Sequence, residues 1–112
     1  MKDNYFFLQH ILESISDIEA FLHKVNKYSF FENKEKQNAV IRSLEIIGEA
    51  VKHLPDEFKN KHHSIEWLKI SGMRDKLIHH YFGVDLDTIW QVVEEDLPKL
   101  KKDIKLILEK TN

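Results

Sequence analysis

The sequence predicts an all-α chain folded as an antiparallel four-helix bundle with one further short helix. Three observations carry this reading. Only three glycines and two prolines occur among 112 residues, too few for a turn-rich β chain. Apolar residues recur at steps of three and four over four long stretches. Short polar connections join those stretches and set successive helices side by side. At this length a single domain spanning residues 1–112 is expected.

The first helix is expected over about residues 3 to 27. Leu8, Ile11, Leu12, Ile15, Ile18, Leu22 and Val25 form one apolar stripe along it. Ser29 to Asn33 reads as a break. The second helix runs from Lys34 to Leu54, where Val40, Leu44, Ile47, Val51 and Leu54 make a seam suited to another helix. Pro55 ends it, because the residue before a proline is pushed out of the α region. Pro55 to Phe58 reads as a short helical turn and Asn60 to His63 as a polar loop.

Ser64 is the expected N-cap of a third helix that carries Leu68, Ile70, Met73, Leu77 and Ile78 and ends near Gly83. Gly72 inside it costs about 1 kcal/mol relative to alanine. Close approach of another backbone, including one from a second subunit, accounts for a glycine there. Asp85 is the expected N-cap of the fourth helix. Its stripe of Leu86, Ile89, Trp90, Val93, Leu97, Leu100, Ile104 and Ile107 keeps its phase across Pro98, which predicts a kink and not a break. Lysines at 99, 101, 102, 105 and 110 load its C-terminal part, where the helix dipole favours cations.

Composition excludes several function classes. With no cysteine there is no disulfide, thiolate zinc site or cysteine nucleophile. No basic and apolar leader opens the chain, and no apolar run is long enough to span a bilayer. A cytoplasmic location without membrane attachment is expected. A net charge of −2 argues against a general nucleic-acid coat, so any contact with RNA must come from a local patch.

The densest chemistry lies in Arg74-Asp75-Lys76-Leu77-Ile78-His79-His80-Tyr81. A guanidinium can hold a phosphate, and an imidazole can move a proton near neutral pH. Asp75 and His79 are four residues apart and share a helix face, so the carboxylate can fix the imidazole tautomer. Arg74 sits about 140° around the axis from His79, within swing of its long side chain. It can also meet a His79 from a symmetry mate. Spacing alone leaves a plainer alternative, a solvated face laced with ion pairs worth about 0.3–0.5 kcal/mol each. Tyr81 reads either as packing or as a phenol projecting into solvent.

Glu45, Glu49 and His53 share a face of the second helix and could hold a metal, though a row of this kind is more often a polar surface with Arg42 and Lys52 as partners. No metal or other cofactor is called for. His62 and His63 are expected to face solvent. Trp67, Trp90 and the phenylalanines at 6, 7, 30 and 31 read as core or subunit interface before base-stacking platform. The apolar surface exceeds what one small core needs, which points to a homodimer.

The run from Trp67 to Asp85, with its Gly72-Met73-Arg74, His79 and Tyr81-Phe82-Gly83, closely resembles the HepT-like branch of the HEPN superfamily. The family form is Arg, four residues, His, one residue, Tyr, and this chain fits it at Arg74, His79 and Tyr81. Ile41 to Ala50 and Ile89 to Pro98 are similar to the family as well, so the likeness covers most of the chain past residue 37.

The resemblance implies a HEPN-type helical bundle and a metal-independent endoribonuclease toxin of a bacterial toxin–antitoxin pair, active as a homodimer. It implies that Arg74 binds the scissile phosphate and that His79 is the acid–base group for attack by the 2′-hydroxyl. It implies a nucleotidyltransferase antitoxin that attaches AMP to Tyr81, placing negative charge beside Arg74. Family members often carry asparagine after the motif arginine; Asp75 stands there in this chain. Its expected role is to support His79, at the cost of a negative charge where phosphate must sit. The alternative is a non-catalytic HEPN module that binds a nucleotidyltransferase or a nucleotide.

Overall fold

Asp3, Asn26, Asn33 and Asp85 each stop a backbone nitrogen from going unpaired at a helix start, and these four short polar side chains set the frame of the molecule. A computed structural model describes residues 3–79 and 85–110; of Ile78 and His79 only the backbone is described. The elements are α1 (Asn4–Phe21), α2 (Lys27–Glu32), α3 (Lys34–His53), α4 (Asp56–Lys61), α5 (Trp67–His79), α6 (Leu86–Gln91), a π-helical turn (Val92–Asp96) and α7 (Leu97–Lys110). No strand occurs among the described residues. The four long segments are those expected: α1, α3, α5, and α6 continued through the wide turn into α7.

The core follows the stripes. Leu8, Ile11, Ile15 and Ile18 of α1 are buried with Val40, Leu44, Ile47 and Val51 of α3, and with Leu97, Leu100, Ile104 and Ile107 of α7. α3 packs against both α1 and α5, and α7 packs against α1. At about 25 cal/mol per Å² of apolar surface removed from water, each such Leu or Ile contributes about 1.5–3 kcal/mol.

Several expectations change. The first helix ends at Phe21, and Lys24 takes a left-handed φ of 59° in the turn that follows. The supposed break at Ser29 to Asn33 falls largely within the six-residue helix α2. The Asn26 side chain accepts from Ser29 N–H, and Phe30 is fully buried beside Trp90 with ring centroids 5.3 Å apart. Burial of one large aromatic outweighs the poor propensity of a short Ser- and Asn-flanked segment. Asn60 and Lys61 belong to α4 and not to a loop.

Ser64 caps nothing. The chain makes a tight turn in which Ile65 N–H donates to His62 C=O, α5 starts only at Trp67, and Ile65 is buried. The Trp67 indole N–H donates to the His62 carbonyl at 3.1 Å and ties that turn to the helix. His62 itself is half-buried against the Phe58 ring, 4.6 Å between centroids, while His63 is exposed as expected. Burial, then the nearby Lys61 and Lys110 charges, push the His62 imidazole below its ordinary value.

Pro98 distorts the last helix without breaking it. It has no N–H, and its ring presses on the carbonyl one turn before. The turn just ahead of it widens, with Leu97 N–H donating to Val92 C=O five residues back.

Among the described residues nothing lies within 4 Å of where a Cβ of Gly72 would stand, so none of them makes a close approach there. The close approach occurs at Gly48.

Candidate active site

On α3, Gly48 presents only hydrogen toward α5. A Cβ there would lie 2.1 Å from Arg74 Cβ and 2.7 Å from its Cγ. The side chain of Arg74 therefore leaves α5 directly against the α3 backbone, and residues around Gly48 receive its head. Glu49 Oε2 lies 2.9 Å from Arg74 Nη2, and Arg74 Nη1 donates to Asp75 Oδ1 at 3.3 Å. Arg74 Nε is buried and has no hydrogen-bond partner among the described residues. The guanidinium is thus fixed at both Nη atoms and about one quarter exposed.

Asp75 is held from the other side. Lys52, one turn beyond Glu49 on α3, donates from Nζ to the same Oδ1. This ammonium, with help from Arg74, holds the Asp75 carboxyl below the usual carboxylate range. Lys52 was expected to serve the Glu45, Glu49 and His53 row; it serves α5 instead.

Glu49 joins two groups. Its Oε1 lies 3.3 Å from His53 Nε2, and the His53 ring stacks on Phe7 of α1, centroids 5.2 Å apart and planes 7° from parallel. Beside Arg74 a groove of about 430 Å³ opens between α1, α3 and α5, lined among others by Phe6, Phe7, His10, Arg42 and His53. Arg42 at its edge pairs with Glu45 at 3.6 Å. Among the described residues no three His, Asp or Glu side chains converge as metal ligands; in the row on α3, Glu45 pairs with Arg42, and Glu49 meets Arg74 and His53. A narrower apolar cleft of about 90 Å³ between α5 and α7, walled by Ile70, Met73 and Leu100, does not include Arg74.

Of the four residues singled out from the sequence, Arg74 and Asp75 stand together at the contact of α3 and α5. His79 is carried by the same helix, five residues on, or about 7.5 Å along the axis at 1.5 Å per residue. Its side chain and the whole of Tyr81 lie outside the described residues. Sequence reasoning missed Gly48, Glu49 and Lys52 as partners of Arg74 and Asp75. A signal was present, because Gly48 weakens a helix interior as much as Gly72 does and sits beside a carboxylate. It also missed His10, which packs on Phe6 in the groove with centroids 4.4 Å apart.

Chemically, the two carboxylates hold the guanidinium in a fixed orientation beside the groove, where its remaining N–H groups can meet an oxyanion. No described helix is long and apolar enough to cross a membrane.

A family model described as "Ribonuclease HepT-like" matches residues 11–107. A "Probable ribonuclease HepT" of Thermococcus cleftensis is 50% identical over 85% of this chain and 86% of its own length. A "Putative RNase" of Caldanaerobacter subterraneus subsp. tengcongensis is 44% identical over 98% of both chains. A Methanocaldococcus jannaschii protein named "Gamma-glutamylcyclotransferase and putative RNase" is 51% identical over 96% of this chain, which spans only 49% of that longer protein. No solved structure matches the chain.

Proposed function

Because this chain belongs to the HepT-like ribonuclease family, we propose that it is a metal-independent endoribonuclease. The observation that carries the reading is the placement of Arg74. It is the one arginine on α5, it is locked by Glu49 and Asp75, and it precedes His79 by five residues on the same helix.

In this reading the Arg74 N–H edge takes a non-bridging oxygen of the scissile phosphate and stabilises the charge that grows there in the transition state. His79 takes the proton of the neighbouring 2′-hydroxyl, whose oxygen attacks phosphorus. The bond to the 5′-oxygen breaks, and an imidazolium returns a proton to the leaving oxygen. The products are a 2′,3′-cyclic phosphate and a 5′-hydroxyl. Two copies form a homodimer, with Arg74 and His79 supplied across one cleft. The chain works in the cytoplasm as the toxin of a toxin–antitoxin pair. A nucleotidyltransferase antitoxin attaches AMP to Tyr81 and so sets negative charge beside Arg74.

One observation favours a second reading. Both Nη atoms of Arg74 are already paired with carboxylates, which suits a structural arginine in a non-catalytic module that binds the nucleotidyltransferase or a nucleotide. Incubating purified protein with RNA in EDTA separates the two. The first reading expects 2′,3′-cyclic phosphate ends, lost in His79→Ala and strongly reduced in Arg74→Lys. Undiminished cleavage by folded His79→Ala removes the assignment; no cleavage by the wild-type chain favours the module. Mass spectrometry after incubation with the partner and ATP tests Tyr81: a gain of AMP that persists in Tyr81→Phe rules that residue out.

A further inference from the structure

Asp75 sets a charge problem at the phosphate site. Its Oδ1 lies 3.3 Å from Arg74 Nη1, and a second carboxylate, Glu49, lies 2.9 Å from Nη2. One cation facing two anions leaves a local excess of negative charge, and a phosphodiester is repelled from such a spot. The Lys52 ammonium ends that excess. It reaches the same Asp75 oxygen from α3, so two cations, Lys52 and Arg74, stand against two anions, Glu49 and Asp75.

The geometry makes Lys52 more than a counter-charge. Asp75 has two oxygens and can rotate. If nothing else claimed it, its carboxylate would turn to form a two-pronged pair with the guanidinium, the strongest arrangement open to those groups. That pair would occupy N–H groups that a phosphate needs. With Lys52 on Oδ1 the carboxylate is drawn toward α3 and touches the guanidinium only at Nη1. Asp75 and Lys52 are both only partly buried, so the carboxylate has room to turn when the ammonium is removed.

We infer that Lys52 is a positioning residue for RNA binding, which restrains the Asp75 carboxylate and so leaves Arg74 open to phosphate. The inference rests on the ribonuclease reading above. It adds a residue outside the motif, from a different helix, and it explains how an aspartate beside the motif arginine is compatible with a polyanionic substrate. Arg74 both holds the phosphate and stabilises its growing charge, so the effect falls on kcat/KM and on the binding of a probe that cannot be cut.

The test uses the full chain, a mixed-sequence single-stranded RNA 20-mer in EDTA for kinetics, and the all-2′-deoxy oligonucleotide of the same sequence for binding without cleavage. Lys52→Met and Lys52→Gln should each lower kcat/KM, and weaken binding of the deoxy probe, by about tenfold, equal to about 1.4 kcal/mol. Lys52→Arg should stay close to wild type. Asp75→Asn serves as the reference for the double change: Lys52→Met combined with Asp75→Asn should return to the Asp75→Asn value, with no further loss. A merely structural lysine would show no rescue by that second change. Wild-type kinetics in both Lys52→Met and Lys52→Gln overturn the inference alone. A tenfold loss that Asp75→Asn fails to rescue also overturns it, because Lys52 would then touch RNA directly. A wild-type chain that neither cuts the RNA nor holds the deoxy probe defeats the ribonuclease reading, and this inference falls with it.

Discussion

Replacing Gly48 by alanine tests the contact on which the site is built. The added Cβ would stand 2.1 Å from Arg74 Cβ. Ordinary contact begins at 3.4 Å, so α5 must retreat by about 1.3 Å, the difference between those distances. The obstacle is the stem of Arg74 and the adjacent backbone, not the free end of a flexible chain. Overpacking of this kind costs up to about 3 kcal/mol. Alanine gains back about 1 kcal/mol over glycine in a helix interior. The net loss is about 2 kcal/mol, or about 8 °C in Tm at about 4 °C per kcal/mol for a domain of this size. Activity should fall further than stability, since the shift carries Arg74 away from Glu49. Thermal melting followed by circular dichroism reads the first effect, and RNA cleavage in EDTA well below Tm reads the second. The same change at Gly72, where a Cβ meets none of the described residues, should raise Tm by about 4 °C. A Gly48→Ala protein as stable and active as wild type would refute the reasoning. A fall in Tm at Gly72→Ala would place another chain on that face.

Phe30→Ala should cost about 3–5 kcal/mol, because the ring is wholly buried in a six-residue helix that contributes no other core residue. Urea unfolding checks this, and a loss under 1 kcal/mol would mean that α2 is not part of the core. Stability should decline as pH falls from about 6.5, the ordinary imidazole value. His62 binds its proton less readily when folded than when unfolded, so the unfolded chain takes up more protons in that window. Tm measured between pH 7.5 and 5.5 should drop less in His62→Gln; equal slopes would refute the role of His62. The Asp75 carboxyl shifts the other way round in origin but to similar effect: its pairing is present above about pH 4 and is lost as pH falls through its lowered folded value.

The long helices were legible because their stripes are long. Leu8 to Ile18 and Val40 to Val51 mark their buried faces by periodicity alone, and Pro55 and Asp85 mark stop and start by backbone chemistry. α2 was not legible, since six residues carry too little period and its order comes from Phe30 meeting Trp90, sixty residues away. The same limit governed the site. Arg74 and Asp75 stood out through local density of chemistry. Their partners Glu49 and Lys52 lie on another helix, and nothing in their own neighbourhood reveals which surface they face. The two helical glycines looked alike in sequence; only the packing of α5 separates Gly48, which is under load, from Gly72, which is open.

The close approach of α3 and α5 at Gly48 would act as a fulcrum for any change in the angle between the two helices. When two crossed rods change angle about the place where they touch, that place stays still and the ends sweep. Arg74 sits at the touching point, and the backbone of His79 lies about 7.5 Å out along the rod. A rocking of α5 by about 10° leaves the guanidinium in place and carries position 79 through about 1.3 Å, the sine of that angle times the arm. A pivot at Gly48 would therefore move position 79 while leaving the pairing of Arg74 with Glu49 undisturbed.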